Sequence, residues 1–300
     1  MRARVDADWA FRRYQEIRAR LPSAVFPEDA LACADLGEIA AQFDVFIFDS
    51  FGVLNVGETA IPGAAPRIDL LRGAAKSVIV LTNAASLPLG ANKAKYAAFG
   101  FDFSDREIVS SRAVLAEALA GYGPDIRWAV AAPAASAIDE LPCRTHPLDE
   151  TGLVDADGFI LLSSSGWTGA HQDALLAALR ERPRPVLVGN PDLVAPREDG
   201  FTREPGSYAH ELDDALDIRP VFFGKPYANA FETALSRIAP GVDRRRILML
   251  GDTLHTDILG GAAMGMKTAL ITGHGVMRGM DVDACIEESG ICPDFIMPSI

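Results

Sequence analysis

"VFIFDSFGVL", residues 45–54, decides the fold. Four apolar residues, Val45 to Phe48, run without a polar break and stop at Asp49, and Gly52 then supplies a turn. A short apolar run closed by a turn signal reads as a strand buried on both faces, and such strands belong to parallel sheets. In open parallel sheets, ligands gather outside the carboxyl ends of the strands. Asp49 therefore stands where a nucleophile or a metal ligand would be presented.

Outward from this run the pattern repeats. Apolar runs lie at Ser77–Leu81, Ile126–Ala131, Gly158–Leu162, Pro185–Val188, Val221–Phe223, Ile247–Leu250 and Thr268–Ile271. Helical patterns separate them at Ala64–Leu71, Leu89–Phe99, Ala113–Leu119, Ala170–Leu179, Ala228–Ile238 and Asp257–Ala263. Strands alternating with helices predict an α/β fold, a doubly wound parallel sheet of Rossmann-like type. "RERPRPVL" and "PDLVAPREDGFTREPGS" are rich in Pro, Gly and charge and read as surface loops. The N-terminal segment to about Gln42, with Trp9, Tyr14, Ile17 and Leu21 at helical intervals, reads as a helical packing appendage.

Bulk composition narrows the function. The 300 residues are 49% hydrophobic and carry a formal net charge of −13, which excludes the basic footprint of a nucleic-acid binder. An anionic substrate would need local neutralisation by a metal, a lysine or backbone N–H groups. Cys33, Cys143, Cys285 and Cys292 are scattered, with neither CxxC nor zinc spacing, and read as reduced thiols. The start lacks the apolar stretch of a signal peptide, and no apolar run reaches membrane-spanning length. The expectation is a soluble cytoplasmic protein with no membrane partner.

Four strand ends carry pointed residues: Asp49, then Thr82-Asn83, then Gly224-Lys225-Pro226, then Gly251-Asp252. Singly, each is an ordinary cap or turn. Jointly they supply the parts of a phosphoryl-transfer site. A carboxylate nucleophile divides the reaction through an aspartyl-phosphate. Further carboxylates suit Mg²⁺, which prefers hard oxygen ligands. A threonine and backbone N–H groups can hold phosphoryl oxygens, and a lysine neutralises developing charge.

At "DSFGVL", "VLTNAAS", "FGKP" and "GDTLHTD" the chain resembles the haloacid dehalogenase-like (HAD) hydrolases. The segment between the second and third motifs, with "VLVGNPD" inside it, resembles the type IIA branch, which holds nitrophenylphosphatase-like and sugar-phosphate phosphatases. The resemblance implies a catalytic core over 1–110 and 221–300, with 1–42 as its N-terminal appendage, and an inserted α/β cap over 111–220. It implies Asp49 as nucleophile and Mg²⁺ ligand, Phe51 lending its backbone carbonyl to the metal, and Asp252 and Asp257 as further metal ligands. Thr82, with the Asn83 backbone, would bind phosphate, and Lys225 would hold nucleophile and phosphate together. Asn190, with Trp167, Asp192 and Tyr208, would contact the substrate from the cap. The substrate would be a small phosphorylated metabolite, and pairing through the caps would make a homodimer.

One residue departs from the pattern. Phosphatases of this kind carry a second aspartate two residues after the nucleophile, to protonate the leaving alcohol, and here that residue is Phe51. General acid–base help is worth roughly 10²–10⁴-fold, or about 3–5.5 kcal/mol of barrier. Four readings follow. Another group, His210 or His255, supplies the proton to an otherwise ordinary phosphatase. The substrate has a leaving group needing no proton, as in acyl or aryl phosphates. The enzyme is a 2-haloacid dehalogenase, whose motif has an aromatic residue here but whose fourth motif lacks the first acid of "GDTLHTD". Or the site binds phosphate and metal without turnover.

Overall fold

The computed structural model describes residues 5–300; the first four residues of the expected N-terminal appendage lie outside them. Two all-parallel sheets organise the chain. The larger has seven strands in the spatial order Leu31–Ala32, Phe295–Met297, Lys267–Ile271, Ile247–Gly251, Val45–Phe48, Ser77–Thr82 and Ile108–Ser110. Val45–Phe48 is its middle strand, in register with Ile247–Leu250 on one side and Ser77–Val80 on the other.

The strand alternation explains why both faces are covered. Phe46, Phe48, Val78, Val80, Leu248 and Leu250 join one apolar cluster with Ile68, Leu71 and Tyr96 from the helices Ala64–Gly73 and Leu89–Ala98. Val45, Ile47, Ile79, Leu81, Ile247 and Met249 join another with Val114, Leu115, Ala230 and Phe231. Successive residues of a strand point to opposite faces, so a continuous apolar run is what a doubly covered sheet requires.

The smaller sheet has five strands in the order Val221–Phe222, Val186–Val188, Gly158–Leu161, Arg127–Ala131 and Arg144–Pro147. Val221–Phe222, where the sequence expectation resumes the core, closes the edge of this sheet. Conversely, helix Ser111–Leu119, expected in the cap, follows the edge strand of the larger sheet and packs on helix Ala228–Ser236. The parallel pairing runs through the chain further than the apolar runs suggested, because Leu31–Ala32, Ile108–Ser110 and Arg144–Pro147 are too short or too exposed to register as strands.

Two expectations need correction. "PDLVAPREDGFTREPGS" is not a loop. Val194–Arg197 and Gly200–Arg203 form an antiparallel hairpin, and helix Pro205–Leu216 begins directly after it. Proline opens that helix at its first turn, where it has no N–H to lose. Nor is the N-terminal segment helical to Gln42. One helix, Ala7–Glu16, is capped by Asp6, which accepts from the Trp9 N–H at 2.9 Å; the rest is short turns and the edge strand Leu31–Ala32. That helix packs on both bodies. Phe11 joins Leu254, Ile258 and Leu259 beside the larger sheet, while Ala10, Tyr14 and Ile17 join Leu193 and Val194 beside the smaller one. Arg20 pairs with Asp213 at 3.2 Å and with Asp214 at 2.5 Å, and Arg13 also pairs with Asp214.

Candidate active site

The register of the larger sheet brings three strand ends to one rim. The Asp49 N–H donates to the Leu250 carbonyl at 2.8 Å, which ties the end of the middle strand to its neighbour. Thr82 ends the next strand, and Gly251 and Asp252 end the one on the other side. Asp257 follows in the π-helical turn Leu254–Ile258, a widened turn of the sort that recurs at functional sites. Gly52, at φ +81°, is what lets the turn after Asp49 pass this cluster: a Cβ there would stand 2.3 Å from Asp252 Oδ2.

Lys225 arrives from the crossing between the two bodies. Its N–H donates to Asn83 Oδ1 at 2.7 Å, and its ammonium lies 2.5 Å from Asp49 Oδ1 and 2.7 Å from Asp257 Oδ1. Gly224, at φ +139°, allows this approach, since a Cβ there would meet Ser111 Oγ at 2.3 Å and Asn83 Oδ1 at 2.6 Å. Lys225 is 1% exposed and Asp257 is fully buried.

The charge balance is lopsided. Burial pushes the Asp49 carboxyl up to about 7, against the pull of Lys225 and with the push of Asp257. Burial likewise raises Asp252 well above the usual carboxylate range, aided by Asp49 and Asp257. Burial would lower Lys225, but Asp257, Asp49 and Asp192 together hold it above its ordinary value. Asp49, Asp252 and Asp257 each offer an oxygen within 4.8 Å of the others'. Three buried carboxylates around one lysine carry surplus negative charge, and hard oxygen donors at this spacing fit a divalent cation. Part of the set is already oriented: Asp252 accepts from the Val276 N–H at 2.7 Å and from the Thr253 hydroxyl at 2.9 Å, and Asp257 accepts from the Thr253 N–H at 3.2 Å.

The remaining expected residues divide. Thr82 is buried at the rim, its hydroxyl accepting from the Ala84 N–H at 3.2 Å. The Asn83 side chain is fully engaged: it donates to the Lys225 carbonyl and to Asp192 Oδ1, and accepts from Ser111 and the Lys225 N–H. It is a strut joining three segments, and its amide has nothing left for substrate. Asn190 is similar. It accepts from the Asp192 N–H at 3.0 Å and donates to Glu204 at 3.1 Å, so its amide shapes its own loop. Trp167 donates to Gln172 inside the smaller body, and Tyr208 lies under the Arg203 guanidinium there.

Phe51, Asn190 and Asp192 line a cavity of about 200 Å³ with Ser50, Lys95 and Arg197. Lys95 and Arg197 each stand 5.0 Å from the centre of the Phe51 ring. Neither histidine lines this space, which weighs against the reading in which one of them supplies the proton. His255 Nε2 lies 2.8 Å from Gln15 Oε1, and its ring stacks on Tyr14 at 5.0 Å. His210 stacks on Phe222 at 4.7 Å and lines a separate cavity with Arg20 and Arg219. Burial first, then nearby arginine, lowers each imidazole to about 3.

Sequence reading missed several supports. The Tyr96 hydroxyl donates to Ser50 at 2.9 Å, and Ser50 donates to Asn55 at 2.7 Å, fixing the small hairpin after Asp49. Tyr14 accepts from the Leu193 N–H at 3.2 Å, from a helix taken as a mere appendage. A tyrosine in an amphipathic pattern gives no sign of a partner 179 residues away.

Comparison with known proteins matches the same regions. A family model described as haloacid dehalogenase-like hydrolase covers residues 46–139, and a HAD-hydrolase-like model covers 222–300. The chain is 28% identical to glycerol-3-phosphate phosphatase of Homo sapiens over 291 residues, covering 87% of this chain and 90% of that one. It is 29% identical to chronophin of Homo sapiens, covering 91% and 96%. A solved structure described as a possible sugar phosphatase of the HAD superfamily, from Cytophaga hutchinsonii, superposes with a TM-score of 0.79 at 27% identity, covering 90% of this chain and 98% of that one.

Proposed function

The chain belongs to the haloacid dehalogenase-like hydrolases, and on that premise we propose that it is a Mg²⁺-dependent phosphatase of small, sugar-phosphate-like metabolites, working through an aspartyl-phosphate on Asp49. The observation that carries this reading is Lys225 seated between Asp49 and Asp257, beside Asp252, at one sheet rim. In it, Asp49 attacks phosphorus while Lys225 neutralises charge on nucleophile and phosphoryl group. Thr82 and the backbone beside it hold phosphoryl oxygens. Asp49, Asp252, Asp257 and the Phe51 carbonyl would hold Mg²⁺, which supplies further neutralisation of the transferred group.

The smaller body acts as the cap. Its hairpin reaches the small hairpin after Asp49, where Glu198 accepts from the Glu58 N–H at 2.7 Å. The space beside Phe51, about 200 Å³, is below the roughly 300–1,000 Å³ of drug-sized ligand sites, which favours a small leaving group. The human glycerol-3-phosphate phosphatase and the possible sugar phosphatase named above support the same substrate class. Both acids of "GDTLHTD" lie in the carboxylate cluster, which argues against a dehalogenase.

The test is phosphate release from glycerol phosphate and p-nitrophenyl phosphate with Mg²⁺. Turnover is expected with both, lost on chelation and lost in Asp49→Asn. Absence of release from both substrates at saturating Mg²⁺ would overturn the proposal.

A further inference from the structure

Phe51 leaves a phosphatase without the carboxyl that should protonate its leaving group, and both histidines point elsewhere. The cavity bounded by Phe51 contains three other carboxyl residues: Glu58, Glu204 and Asp192. Glu58 is mostly exposed and pairs with Lys95 at 2.9 Å. Glu204 is consumed by Arg197, Thr202 and Asn190. Asp192 differs from both. Its Oδ1 accepts from Asn83 Nδ2 at 2.7 Å, one residue after Thr82 at the rim. Among the described residues only its Oδ1 takes a side-chain hydrogen bond, and the residue lines the cavity.

The loop that carries Asp192 is held from three sides. Asn190 accepts from the Asp192 N–H, Tyr14 accepts from the Leu193 N–H, and Asn83 grips the carboxyl itself. A carboxyl so fixed beside Asn83, with only one oxygen engaged by a side chain, can serve a leaving group at the rim as a proton donor.

We propose that Asp192 is the general acid–base of this enzyme, contributed by the cap in place of the carboxyl that Phe51 lacks. This rests on the phosphatase reading. In the first step a bond forms between Asp49 and phosphorus, the bond from phosphorus to the leaving oxygen breaks, and the proton on Asp192 Oδ2 passes to that oxygen. In the second step the Asp192 carboxylate takes a proton from water as the hydroxide so formed attacks phosphorus and the bond to Asp49 breaks. Inorganic phosphate leaves, and Asp192 is protonated again. Burial, with Asp49 and Asp257 adding to it, pushes the Asp192 carboxyl up to about 8 despite Lys225, which agrees with a group that holds its proton near neutrality.

The experiment compares Asp192→Asn with the unmodified chain, both with Mg²⁺, using glycerol phosphate and p-nitrophenyl phosphate. Asparagine keeps an oxygen for Asn83 but cannot donate a proton as an acid. Nitrophenolate leaves unprotonated, so its first step needs no acid, while hydrolysis of the aspartyl-phosphate still does. The expected result is a stopped-flow burst of about one nitrophenolate per site at nearly the unmodified rate, followed by turnover slowed roughly 10²–10⁴-fold. Glycerol phosphate should show the same loss with no burst. The burst amplitude counts folded sites, so a misfolded variant is recognised. A burst slowed as much as glycerol phosphate cleavage would make Asp192 a structural tie and overturn the proposal, as would unchanged glycerol phosphate turnover. If the unmodified chain releases neither product, the phosphatase reading itself falls. If it cleaves p-nitrophenyl phosphate but not glycerol phosphate, that reading stands and only the acid is refuted.

Discussion

The rim of the larger sheet and the Gly189–Leu193 loop of the smaller body meet where Asn83 donates to Asp192, but they are built in opposite ways. At the rim, position follows from strand register. Asp49, Thr82 and Asp252 each come at or directly after the end of a strand buried on both faces, so packing fixes them before any polar contact forms. In the loop, position comes from polar ties to distant segments: Asn83 to Asp192, Tyr14 to Leu193, Glu204 to Asn190. A rim of this kind tolerates loss of one polar group structurally and loses chemistry. A loop of this kind loses geometry.

The largest expected effect therefore comes from the rim. Lys225→Met keeps the apolar stem and removes the only cation beside Asp49 and Asp257 among the described residues. Phosphate release should fall roughly 10²–10³-fold, as for the loss of one preorganised electrostatic partner. The fall should lie in kcat more than in KM, because the charge that Lys225 meets is greatest in the transition state. A loss confined to KM would mean that Lys225 only gathers substrate.

The same contrast explains what the sequence made legible. Val45–Phe48, Val78–Leu81 and Ile247–Leu250 are uninterrupted apolar runs, so the sheet and its three pointed ends could be read directly. Helix Pro205–Leu216 and the hairpin before it were hidden, because Pro, Gly and charge in "PREDGFTREPGS" are turn signals that tertiary pairing of Val194 with Arg203 and Ala195 with Thr202 overrides. His255 sits within a site motif, and only the fold reveals that Gln15 and Tyr14 occupy it. Phe51 announced that a proton donor was missing. Where the substitute stands depends on the long-range tie between Asn83 and Asp192, which no local pattern encodes.

Acid should weaken the smaller body through His210. Burial and the nearby Arg20 and Arg13 hold this imidazole at about 3, down from an ordinary 6.5, with Asp214 opposing them. The unfolded chain therefore binds a proton here that the folded chain refuses, and the stability present above pH 6.5 is lost as pH falls toward 3. Between pH 7 and pH 4.5 the loss attributable to His210 is about 2–3 kcal/mol by linkage. Urea unfolding of the unmodified chain and His210→Phe at both pH values measures it, since phenylalanine keeps the stack on Phe222 without titrating. Equal pH dependence in the two proteins would contradict the assignment.

Next in size is the tie from the N-terminal helix. Tyr14→Phe leaves the ring against His255 but removes the acceptor for the Leu193 N–H. An unsatisfied buried N–H costs about 1–3 kcal/mol, so the variant should unfold at lower urea. Its glycerol phosphate turnover should drop more than its nitrophenolate burst, because Leu193 adjoins Asp192. Equal effects on both would mean that Tyr14 stabilises the molecule without positioning the loop.

The smallest effect tests how cap and core meet over Phe51. Arg197 comes from the hairpin of the smaller body and Lys95 from a helix of the larger one, and both stand over the same ring. Such contacts are worth about 0.5–1 kcal/mol at exposed sites. Only the Arg197 contact crosses between the bodies, so only Arg197→Ala should ease cap opening, raising KM by roughly two- to fivefold by the same magnitude with kcat little changed. Lys95→Ala removes a core-to-core contact and should leave KM nearer its original value. A double-mutant cycle with Phe51→Leu isolates the ring from the pairing of Arg197 with Glu204. Coupling between Phe51 and Arg197 would identify the aromatic residue as a latch between the two bodies. Strict additivity would leave the ring as wall alone, and the cap closed by the Glu198 contacts to Glu58 and Thr59.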